Sequence, residues 1–70
     1  MIYYDGIGLT EREENILYLL TEGYENGEIA DAIGVSPHTV KAHISVILKK
    51  LDAKNRTHAV YKALKEGVIH

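Results

Sequence analysis

The chain has 70 residues, no cysteine, tyrosine as its only aromatic residue and a formal net charge of −2. That length makes one domain with a small core. The missing cysteines remove disulfides, thiolate metal sites and cysteine nucleophiles, and the missing Phe and Trp leave little for the stacking platforms of single-strand RNA binders. The charge is segregated: residues 1–35 hold eight acids against the single base Arg12, whereas residues 36–70 hold seven bases against Asp52 and Glu66. A polyanion would therefore meet a basic half, although two ordinary solvated helix faces give the same count.

No apolar run approaches the roughly 20 residues that span a bilayer, and no basic flank followed by an apolar core opens the chain. A soluble, cytoplasmic protein with no membrane partner is expected. Residues 1–6 read either as a short N-terminus or as the edge of a cut from a longer protein. Residues 1–8 are accordingly set apart as an N-terminal segment from a domain at 9–70.

In chain order, Thr10-Glu11-Arg12-Glu13 has the form of a capping box, and three early glutamates suit a helix start. Leu9, Ile16, Leu17 and Leu20 recur at helical spacing with Glu13 beside them, and Gly23 supplies the stop. Paired catalytic carboxylates are the rival reading of Glu11, Glu13 and Glu14, and capping explains them better. Asn26 is expected to cap a short second helix that turns Ile29, Ala30 and Ile33 inward and ends at Gly34.

Ser36 then caps a third helix with Pro37 at its first position, where no amide donor is needed. Apolar Val35 seals the corner. Val40, Ile44, Ile47 and Leu51 form one stripe with His43 at its border, while Thr39, Lys41, Ala42, Ser45 and Lys49 fall off it. Small side chains flanked by cations let a helix approach a groove closely and still reach phosphates. Val46 and Leu48, also off the stripe or at its edge, are expected to pack on a neighbouring element.

Asn55 caps a fourth helix that runs to about residue 66, before Gly67. Its Ala59 and Ala63 suit close packing on the domain. Val60, Tyr61 and Leu64 extend its apolar surface and are read as a dimer contact, the rival being that they complete the monomer's own core. No strand pattern is evident, so the expected fold class is all-α. Two helices joined by a tight glycine turn, the second opening on small polar residues followed by lysines, make a helix-turn-helix.

Enzymatic and cofactor chemistry find little support. Ser36, His43 and Asp31 form a triad only on paper, without oxyanion donors or an enclosed pocket. His38 and His43 are five apart, not the i, i+4 spacing that puts two ligands on one helical face. Gly23 and Gly27 lack the Lys-Ser or Lys-Thr of a phosphate loop. No metal and no cofactor are expected.

The words LTEREENILYLL, GYENGEIADAIGVSPHTVKAHI and ILKKL, followed by NRTHAV, resemble the LuxR/GerE-type DNA-binding domain over nearly the whole chain. The family pattern is met by Leu9, Thr10, Arg12, Glu13, Glu28, Ile29, Ala30, Thr39, Val40, Lys41, His43, Lys50 and Leu51. The resemblance implies a four-helix domain whose third helix enters the major groove and whose fourth forms a two-fold dimer contact. It places Lys41, Ala42 and Ser45 at base edges, Ser36, Thr39 and Lys49 near phosphates, and Arg12 and Glu13 in support of the domain. Small relatives stand alone, as the spore-coat gene regulators do, and others sit behind a receiver or ligand-binding domain.

Departures from the pattern are Gly27 for a lysine, Val46 for an asparagine, Asp52 for a glycine and His58 for an acid. The implied function is a sequence-specific, homodimeric regulator of transcription on duplex DNA, with RNA polymerase as a further partner. The alternative is a helical protein-interaction module derived from such a domain, whose acidic first helix meets a basic partner.

Overall fold

Thr10 opens the first helix as its side chain allows: Oγ1 accepts from the Glu13 amide at 3.1 Å, and Glu13 Oε1 accepts from the Thr10 amide at 2.8 Å. Both bonds satisfy amides that a helix start leaves without partners. The computed structural model describes the backbone of residues 2–4 and 7–66 and the side chains of residues 8–66. Four helices build an all-α fold: α1 (Glu11–Thr21), α2 (Asn26–Ile33), α3 (Pro37–Leu51) and α4 (Arg56–Lys65). Ahead of them a short ribbon pairs β1 (Ile2–Tyr4) antiparallel with β2 (Ile7–Leu9), Ile2 facing Leu9. Three-residue strands are too short to show an alternating pattern, and this ribbon is absent from the sequence expectation.

The remaining boundaries are local chemistry as well. α1 closes in a Schellman motif, with Tyr24 N–H on the Leu19 carbonyl, Gly23 N–H on that of Leu20, and Gly23 at φ +87°. Gly34 ends α2 at φ +74°, and Ser36 Oγ accepts from the Thr39 amide at 3.1 Å to start α3. Asn55 Oδ1 accepts from the His58 amide at 2.8 Å to start α4. The second helix differs from expectation: its N-cap is Glu25, whose amide donates to Glu28 Oε1 at 2.8 Å, and Asn26 is already helical. The stop expected at Gly67 lies outside the described residues.

α3 is the central element, packed on α1, α2, α4 and β2. Its stripe Val40, Ile44, Ile47 and Leu51 is buried against Leu9, Ile16, Leu17, Leu20, Ile29, Ala30, Ala59 and Ala63. Ile33, Val35, Leu48 and Val60 close the edges of this core. The C-terminal end of α3 closes on Asp52 at φ +54°, with Ala53 N–H on the Leu48 carbonyl at 2.9 Å. Aspartate tolerates this left-handed geometry less readily than the glycine common there in the resembling family, because it carries a Cβ.

One ion pair ties these elements together. Lys50 Nζ donates to Glu13 Oε1 and to the Gly8 carbonyl, each at 2.7 Å, joining the end of α3 to the start of α1 and to β2. The Glu13 side chain is only 8% exposed and that of Lys50 31%. Burial alone would raise the Glu13 pKa, but the Lys50 hydrogen bond, the Thr10 bonds and the Lys50 charge outweigh it and hold the carboxyl below its ordinary 4.5. A depressed folded-state pKa makes this contribution complete above the ordinary carboxylate range. It is lost as pH falls through the lower folded value.

Lys50→Met should leave the Glu13 carboxylate buried without its cation and cost about 2 kcal/mol at neutral pH, less than for a fully buried pair because Lys50 is partly solvated. With the cation gone, desolvation raises the Glu13 pKa, so the variant should lose less further stability on acidification than the wild type. Urea unfolding at pH 7 and pH 4 checks both expectations.

Candidate nucleic-acid interface

Burying one side of α3 fixes what the other side presents. At about 100° per residue, Lys41, Ser45, His38, Lys49, Ala42 and Val46 follow one another around the side facing away from the stripe. All six are exposed. Ser36, at the cap, is exposed too, and Thr39 at the edge of the arc is half-buried. The six residues singled out from the sequence, Ser36, Thr39, Lys41, Ala42, Ser45 and Lys49, therefore share one outward surface, which begins at the helix N-terminus.

The cations divide into those already engaged and those left to solvent. Lys50 is turned inward onto Glu13, Lys62 Nζ approaches the Asp52 carbonyl at 3.4 Å, and Lys65 Nζ lies 5.5 Å from the Tyr61 ring centroid. Lys41 and Lys49 are exposed, and the structure gives neither of them a carboxylate partner among the described residues. The basic excess of residues 36–70 thus overstates the charge open to a polyanion by at least Lys50. A carboxylate on the apolar face of α1 was the signal for this: Glu13 at helical spacing with Ile16 and Leu17 calls for a cation beside it.

Two residues outside the sequence-derived set lie on the same surface. His38 is exposed in the first turn, between the angular positions of Ser45 and Lys49. Val46 corrects an expectation: instead of packing on a neighbouring element it is 43% exposed, while Leu48 does reach the core. Val46 stands four residues after Ala42, on the side away from Val40, Ile44 and Ile47, and that position alone placed it outward.

The Ser36 and Thr39 hydroxyls are not both free to meet a phosphate. Ser36 Oγ already accepts the Thr39 amide and lies 3.0 Å from Thr39 Oγ1, so one hydroxyl proton bridges the pair and the other remains to donate outward. Elsewhere on the surface, Tyr61 and Leu64 of α4 are each 55% exposed, whereas Val60 packs on the core. Tyr61 and Leu64 thus do not complete the monomer's core.

The family model described as bacterial regulatory proteins, luxR family (GerE), matches residues 8–63. The chain belongs to this family. It is 49% identical over 61 residues to the response regulator protein VraR of Staphylococcus aureus, and matches VraR of Staphylococcus epidermidis to the same extent. That stretch covers 87% of the chain and 29% of each relative, so the chain spans under a third of these curated proteins. A solved structure titled as that of the transcription factor GerE superposes with a TM-score of 0.78 at 36% identity, covering 84% of this chain and 88% of that one. The chain is a luxR-type helix-turn-helix domain of a DNA-binding transcription regulator, and not an enzyme. No helix among the described residues is long and apolar enough to cross a membrane.

Ser36→Ala should remove the α3 cap at the edge of this surface and lower stability by about 1 kcal/mol, with helix content retained. Thermal melts followed by circular dichroism measure it, and an unchanged midpoint would contradict the capping role.

Proposed function

We propose that the domain, assigned to residues 9–70, binds specific duplex sites as a homodimer by inserting α3 into the major groove. Lys41, Ala42 and Ser45 face base edges in this reading, and Ser36, Thr39 and Lys49 face phosphates. The observation that carries it is the outward face of α3, where small side chains lie between lysines that have no carboxylate partner among the described residues. A helix with small residues at its centre approaches base edges closely, and cations at its flanks release counterions from the phosphate backbone. A cytoplasmic location and RNA polymerase as a further partner belong to the same proposal, as the working setting of a transcription regulator.

Dimerisation through α4 is supported by Tyr61 and Leu64, two large side chains exposed side by side near the end of the described chain. A small domain gains stability by covering such a surface. A two-fold dimer would present two α3 helices to half-sites roughly 34 Å apart or to a closer overlapping pair, and so requires an approximately palindromic operator.

Two expected outcomes test these assignments separately. Lys41→Ala should cost about 1–3 kcal/mol of discrimination between selected and random duplex, whereas Lys49→Ala should weaken both alike and reduce the salt slope by about one. Identical behaviour of the two variants would refute the division of roles. Leu64→Arg, at an exposed position, should give a folded monomer in sedimentation with much weaker operator binding. A folded dimer that binds normally would remove α4 from the interface.

A further inference from the structure

We infer that Val46, together with Ala42, is a specificity determinant that reads thymine methyl groups. The inference rests on the proposal that α3 enters the major groove, and it names the chemistry which that helix recognises there. Val46 is 43% exposed at one edge of the outward arc, and Ala42, exposed one turn before it and next to it on the arc, continues the same apolar strip. Lys49 adjoins the strip beside Ala42, and Ser45 and Lys41 follow on the same side.

A lone exposed apolar residue is ordinary on a protein surface. Val46 differs in where it stands and in what it costs there. A β-branched side chain is a weaker helix former than the straight-chain residues that usually fill an exposed position, and no core residue covers this one, because it is absent from the side chains packed on the core. The exposed cations Lys41 and Lys49 on the same face select a polyanion as its occupant, rather than an apolar protein groove. In the major groove of duplex DNA the apolar feature available to a helix is the thymine C5-methyl group. An isopropyl group beside an alanine methyl fits that feature and offers neither donor nor acceptor to the other base edges. The expected operator therefore carries thymine at one fixed position, or at two adjacent ones, in each half-site.

The test uses the 70-residue chain and a duplex obtained by selection from a random pool. Each thymine of the duplex is replaced in turn by deoxyuridine, which removes the methyl and leaves the pairing edge unchanged. At one or two positions per half-site the replacement should weaken wild-type binding about fourfold, the factor expected for burying one methyl group. Val46→Ala should bind the thymine duplex more weakly by a similar factor, and deoxyuridine at that position should then cost it little more, as for two groups in direct contact. A flat deoxyuridine scan, or a penalty of full size in Val46→Ala, overturns the inference while leaving duplex binding intact. Failure to select any duplex would instead overturn the reading on which it rests.

Discussion

The Glu13–Lys50 pair is the constraint on which the placement of α3 depends. One carboxylate oxygen accepts from the Thr10 amide at the start of α1 and from Lys50 near the end of α3, and the same ammonium holds the Gly8 carbonyl of β2. β2 and the start of α1, neighbours in the chain, thus meet the distant end of α3 at two charged atoms. Hydrophobic burial of Val40, Ile44, Ile47 and Leu51 fixes which face of α3 turns inward, but apolar contact has little directionality. The ion pair adds direction, because separating the partners leaves a carboxylate that is only 8% exposed without its cation.

The N-terminal end of α3 is fixed by different means. Gly34 and Val35 donate in succession to the Ala30 carbonyl at 2.8 and 3.0 Å, Ser36 caps the helix, and Pro37 sets its first dihedral angle. Holding both ends sets the outward arc in one orientation against the rest of the domain, which the proposed base contacts need: a base contact is selective only when its side chain arrives at a defined depth and angle. The same arrangement divides the lysines of α3. Adjacent residues Lys49 and Lys50 diverge by about a quarter turn, one outward to solvent and one inward to Glu13.

What was legible in the sequence follows the range of each interaction. Thr10, Ser36 and Asn55 cap through bonds three residues long, and Gly23 and Gly34 take positive φ where glycine stands. Such signals are complete within a few residues, and so is the stripe on α3. The partner of Glu13 lies 37 residues away, and no local pattern could name it. Asn26 misled because asparagine is a preferred cap, whereas Glu28 bonds the amide of Glu25 one position earlier. The outward arc was legible because it is the complement of the stripe. Val46 was misplaced because an apolar side chain suggests a core, and only the surrounding structure shows that nothing covers it.

The most direct measurement of whether the outward face of α3 meets DNA is the mapping of backbone amide shifts in the isotope-labelled chain during titration with random-sequence duplex at low salt. Shifts that concentrate between Ser36 and Lys49, and vanish as salt is raised, are the result predicted for a phosphate-contacting helix. Shifts confined to the acidic surface of α1 and α2, or no salt-sensitive shifts at all, would contradict it and favour a protein-interaction module.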